Sequence, residues 1–93
     1  MHIGIFTLRL SLPGCRSLKE KRQRMGGLHE RYGRNPAVAV CESGELDRLE
    51  ASEWTFVAVA NEGPKVEALL TEIEEKIQRT VDGRVMEATR EIL

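Results

Sequence analysis

Val66, Leu69, Leu70, Ile73 and Ile77 recur at i, i+3, i+4, i+7 and i+11, the most regular pattern in this chain. That spacing puts all five on one stripe of a helix, and a helix with a single apolar stripe needs a surface to cover. Gly63-Pro64 opens the helix, because proline at a first-turn position has no N–H partner to lose, and Asp82-Gly83 closes it. The other strong signals have a different period. Phe6, Leu8, Leu10 and Leu12 alternate with Ile5, Thr7, Arg9 and Ser11, as in a strand with one better-buried face that ends at Pro13-Gly14. A helix stripe beside period-2 segments implies helices packed on a sheet.

The remaining elements fill out that layout. Ser17 followed by Glu20 is a capping box, in which each side chain satisfies an otherwise unpaired backbone N–H, so the first helix begins near Leu18. Its apolar stripe is Leu18, Met25, Leu28 and Tyr32. Gly26-Gly27 interrupts it, and a glycine costs about 1 kcal/mol relative to alanine inside a helix, so the helix either packs very closely there or bends. Gly33-Arg34-Asn35-Pro36 stops it. Ala37 to Cys41 reads as a short buried strand with Cys41 in the core, Glu42 to Glu53 as a surface loop or helical turn, and Trp54 to Ala60 as a third strand. Arg84 to Leu93 supplies the last, with Met86, Ala88 and Ile92 on one side. The order β-α-β-β-α-β predicts a single α+β domain over residues 1–93, the ferredoxin-like split βαβ, with both helices on one face of an antiparallel sheet.

Charge is distributed unevenly behind a net value of −1. Seven basic residues between Arg16 and Arg34 face only Glu20 and Glu30, a segment of +5, whereas Glu42 to Glu75 sums to −8. The stretch Ile3 to Leu12 is too short for a membrane span and has no signal-peptide flanks. A cytoplasmic protein with reduced Cys15 and Cys41 is expected, and the spacing of Cys15, Cys41, His2 and His29 suggests neither metal nor cofactor.

The block Pro13-Gly14-Cys15-Arg16-Ser17-Leu18-Lys19-Glu20-Lys21-Arg22 resembles the YlxP-like proteins, a bacterial family catalogued as a domain of unknown function. The likeness extends to Gly4–Leu12, to the Glu42 to Asn61 region containing Asp47, and to Arg90-Glu91-Ile92-Leu93, so it covers essentially the whole chain. The chain departs from the family pattern at Gly26-Gly27 and at Trp54. The resemblance implies a ferredoxin-like fold and brings no catalytic residues. It also implies a neighbourhood in translation, because genes of the family often lie near those for initiation and ribosome maturation factors.

Four candidate chemistries follow. Arg16, Lys19, Lys21, Arg22, Arg24 and Arg31 could neutralise phosphates of RNA or a ribosomal particle, with the helix start favouring an anion. The plainer alternative is a solvated helix surface balanced by the acidic half, with Lys21 laying its stem over the core. Trp54 and Phe56 on an open sheet face could form a homodimer or protein-interaction surface, or with Phe6 a base-stacking platform. The Cys15-Arg16 loop could handle an anion enzymatically, but a Cys-x5-Arg signature would need arginine where Lys21 stands, and no catalytic constellation is visible. Finally, the acidic run from Glu42 to Glu53 reads as a solvated loop and His29 as a packed histidine. The expectation carried forward is a non-enzymatic RNA- or ribosome-associated accessory protein.

Overall fold

The computed structural model describes residues 1–93. Four strands, β1 (His2–Ser11), β2 (Val38–Gly44), β3 (Ala51–Ala60) and β4 (Arg84–Ile92), form one sheet in the order β2-β3-β1-β4. Every neighbouring pair is antiparallel. The helices are α1 (Leu18–Arg24), α2 (Leu28–Gly33) and α3 (Gly63–Thr80). This is the ferredoxin-like arrangement, with the predicted first helix divided in two.

The division has a backbone cause. Gly26 and Gly27 have φ of +68° and +71°, a region that residues with a Cβ rarely enter, so helical geometry stops after Arg24 and restarts at Leu28. A Cβ on Gly26 would also stand 3.1 Å from the Thr80 carbonyl oxygen. The glycines thus turn the chain where it passes the end of α3. Leu28 and Tyr32 still reach the core from α2.

The helices cover one sheet face. Phe6, Leu8 and Leu10 of β1 and Trp54, Phe56 and Ala58 of β3 point into it, meeting Val66, Leu70, Ile73 and Ile77 of α3. Phe6 stacks on Phe56 with ring centroids 6.2 Å apart, and Tyr32 meets Phe56 edge-on at 5.5 Å. α3 lies so close to β1 that a Cβ on Gly4 would stand 2.5 Å from Val66 and 2.9 Å from Leu70. At the sheet edge, Arg90 of β4 lies over Phe6 at 5.5 Å and bonds Glu74 of α3 at 2.9 Å.

Several boundaries and orientations differ from expectation. β2 runs on to Gly44 and β3 starts at Ala51, so much of the supposed Glu42 to Glu53 loop is a hairpin. Its ladder is made by backbone groups, which is why apolar periodicity did not reveal it. Cys41 is exposed on the face opposite the helices, because residues opposite Thr55 point away from the core. His29 is exposed rather than packed. Ala88 and Ile92 pair with Leu8 and Gly4 on the helix-covered side, but Met86 is displaced by an irregularity between Arg9 and Leu10 and is 66% exposed.

Candidate nucleic-acid interface

Of the six cations expected to meet phosphate, two are committed inside the molecule. Lys21 is buried, and its ammonium donates to the carbonyls of Arg48 at 2.7 Å and Glu45 at 3.0 Å. It also lies 3.1 Å from Glu42 Oε2. The same carboxylate oxygen accepts a 2.7 Å bond from the Ser52 hydroxyl, which accepts one of 2.8 Å from Trp54 Nε1. A polar chain Trp54–Ser52–Glu42–Lys21 therefore ties α1 to the β2–β3 hairpin, leaving Lys21 no free donor geometry for a phosphate. Arg24 donates to the carbonyls of Pro13 at 2.8 Å and Asp82 at 2.9 Å. It clamps the β1–α1 turn to the segment after α3.

Arg16, Lys19, Arg22 and Arg31 remain exposed, and none has a carboxylate within 4.0 Å. Lys19 and Arg22 are three residues apart on α1, which places them side by side, with Arg16 just before the helix. Glu20, the acid among them, is turned back: its carboxylate accepts from the Arg16 N–H, and the Ser17 hydroxyl accepts from the Glu20 N–H at 3.0 Å. The capping box is thus formed. The Arg16 N–H and then the Cys15 thiol hold the Glu20 carboxyl below its ordinary titration range, against an opposing effect of desolvation and with the nearby Arg24 and Arg16 charges adding to the lowering. Beside Arg22, a cleft of about 300 Å³ is lined by Leu28, His29, Glu30, Glu42 and Trp54. Its two acids and two cationic or titratable groups make it electrically mixed.

The 13–17 turn has no cradle for an anion. Gly14 N–H donates to Glu50 Oε1 at 3.0 Å, Cys15 N–H to the Leu12 carbonyl at 3.2 Å, and Arg16 N–H to Glu20. Cys15 is buried, with its sulfur 3.6 Å from the Ser17 carbonyl oxygen. No cluster of three or more His, Cys, Asp or Glu side chains is placed to hold a metal ion, and no helix is long and apolar enough to cross a membrane.

The aromatic readings are corrected. Trp54 is 6% exposed and Phe56 and Phe6 are 0% exposed, all beneath the helices. Period-2 alternation says which residues share a face but not which face the helices take, and the large aromatics go where burial is greatest. Trp54 and Phe56 therefore form no interface, and there is no stacking platform.

Residues 3–90 match DUF503, a family described as proteins of unknown function. The chain belongs to this family. No curated protein matches it. The DUF503 chain is similar in structure to a chlorite dismutase candidate at a TM-score of 0.63 and 15% identity, over 99% of this chain and 44% of that one. It thus spans less than half of that protein. Others are SnoaB, a cofactor-independent oxygenase from Streptomyces nogalater (TM-score 0.55, 10% identity, 98% and 90% covered), and a de novo designed ferredoxin-fold protein (TM-score 0.50, 13% identity, 100% and 83% covered). At these identities the likeness is one of fold, shared by enzymes and by designs alike.

Proposed function

We propose that this DUF503 protein is a non-enzymatic cytoplasmic accessory protein that binds RNA, free or within a ribosomal particle, through Arg16, Lys19, Arg22 and Arg31. The observation that carries the reading is the run of exposed cations Arg16, Lys19, Arg22 and Arg31, none of which has a carboxylate within 4.0 Å. Elsewhere Lys21 is paired with Glu42, Arg9 and Arg48 with Glu45, and Arg90 with Glu67 and Glu74, while Arg34, Lys76, Arg79 and Arg84 also have no carboxylate partner. Of the two acids in the α1–α2 segment, Glu20 is bonded to backbone, and Glu30 is exposed and lines the cleft beside Arg22. Unpaired, solvated cations on adjoining turns are the arrangement that exchanges counterions for phosphates. The YlxP-like resemblance of the Arg16 to Arg22 block, with its translational gene neighbourhood, supports the same choice.

Fluorescence anisotropy with a short single-stranded RNA and sedimentation with ribosomal subunits across a potassium chloride series test it. Three to four phosphate contacts predict a log–log salt slope of roughly −2 to −3 for single-stranded RNA. Arg16→Glu/Lys19→Glu/Arg22→Glu should abolish binding while keeping the native circular dichroism spectrum, whereas Lys65→Glu on α3 should leave it intact. Absence of wild-type binding at low salt would refute the proposal.

A further inference from the structure

The sheet face turned away from the helices carries no covering element. In β1 and β3 it presents four matched rows: Ile3 beside Val59, Ile5 beside Val57, Thr7 beside Thr55, and Arg9 beside Glu53. Outside them β2 adds Ala39 and Cys41, and β4 adds Glu91, Thr89 and Glu87. On β1 and β3 one end is aliphatic, the middle is hydroxylic and the other end is charged, with Glu91 of β4 at the edge of the aliphatic end. Thr7, Thr55, Ser43 and Glu53 are joined by side-chain hydrogen bonds of 3.2, 2.7 and 2.8 Å in that order, so the middle rows have fixed donors and acceptors.

We infer that a second copy of this chain covers this face, with the two-fold axis parallel to the strands and passing between β1 and β3. These are the two central strands, so that rotation lays β1 of one protomer over β3 of the other and β2 over β4. The lateral register of one sheet then becomes the contact register between two. Ile3 and Ile5 meet Val59 and Val57, Thr7 meets Thr55, and Arg9 meets Glu53 of the opposite copy. The in-plane axis perpendicular to the strands would instead set Arg9 over Ile5 at the centre of the face, whereas the chosen axis sets only Glu91 over Ala39, at the edge strands where water reaches the carboxylate, so the two packings are unequal.

Size agrees with a reversible dimer. Four strands spaced about 4.8 Å and a length of nine residues rising about 3.3 Å each give roughly 500 Å² of flat sheet per protomer, with sheets about 10 Å apart. That is close to the lower bound of about 1,000 Å² in total for a specific interface, the size class of weak and transient complexes. The exposed helical cations lie on the opposite side of the sheet, so this inference is independent of the RNA reading.

Sedimentation equilibrium up to roughly 0.5 mM protein tests it. The wild type should show a monomer–dimer equilibrium. Arg9→Glu and Glu53→Arg should each weaken dimerisation at least about tenfold, and the double exchange Arg9→Glu/Glu53→Arg should restore it, with native circular dichroism throughout. Val57→Arg, at a half-buried surface position, should leave only monomer. A wild type that stays monomeric at the highest concentration overturns the inference, as does a dimer insensitive to Val57→Arg or a double exchange that rescues nothing. RNA binding lost in Val57→Arg without a wild-type dimer would assign the face to nucleic acid and would equally overturn it.

Discussion

The Lys21 ammonium sits 3.1 Å from Glu42 Oε2, with only 6% of the lysine side chain exposed and 26% of the glutamate. The most basic segment of the sequence is thereby joined to the most acidic one within a single chain. Taking a lysine out of water is costly unless all its donors are met, and the Glu45 and Arg48 carbonyls complete the set. Lys21→Met should therefore destabilise the fold by about 3 kcal/mol, the low end for a broken buried pair, because the partially exposed Glu42 can recover water. Urea denaturation measures this. Glu42→Gln added to Lys21→Met should cost less than the sum of the single effects by about 1 kcal/mol.

Gly26 and Gly27 should resist substitution. Both occupy the left-handed region, and a Cβ at either is strained there, so Gly26→Ala and Gly27→Ala should each lower stability by at least about 1 kcal/mol. The larger loss is expected at Gly26, which also faces the Thr80 carbonyl. Chemical denaturation of the two single variants would separate the contributions.

Tyr32 should be replaceable. Its hydroxyl is buried with no hydrogen-bond partner, and burial raises its ionisation above the usual phenol value, with Glu72 adding to and Arg31 and Arg79 opposing that effect. Tyr32→Phe removes an unsatisfied polar atom and keeps the ring against Phe56, so stability should be unchanged or higher by up to about 1 kcal/mol. Thermal unfolding at neutral pH is the check.

Acid should loosen the start of α1. The Glu20 carboxyl titrates lower in the folded chain than in the unfolded one, so its contribution is complete above the unfolded carboxylate value. That contribution is lost as pH falls through the folded value. Comparing denaturation midpoints of wild type and Glu20→Gln from neutral pH to about pH 3 should show a difference that closes on acidification.

The sequence exposed the elements through their periods, and it also contained part of what was misread. Lys21 falls at i−4 from Met25, on the same stripe as Leu28 and Tyr32, so its inward position was legible; its hydrogen-bond partners were not. Those are backbone carbonyls of residues 45 and 48, and a carbonyl has no residue-type signature. Leu18 is the converse, an apolar residue on the stripe that is 53% exposed, because nothing packs over the first turn of α1. Ser52 continues the alternation of Trp54, Phe56 and Ala58, yet only the folded hairpin places its hydroxyl between the Trp54 indole and Glu42.

By itself the sequence determined the order of the strands, the stripe of α3, the buried face of β1 and the capping box at Ser17 and Glu20, and it marked Gly26-Gly27 as a place of close packing or a bend. Each is encoded within a few residues, by side-chain spacing or backbone freedom. Tertiary structure alone decided which cations stay free, that Trp54 and Phe56 lie under the helices, and that Ile5, Val57, Arg9 and Glu53 share the uncovered face. These depend on groups distant in the chain meeting across the sheet, where burial energy and hydrogen-bond satisfaction, rather than local pattern, choose the partner.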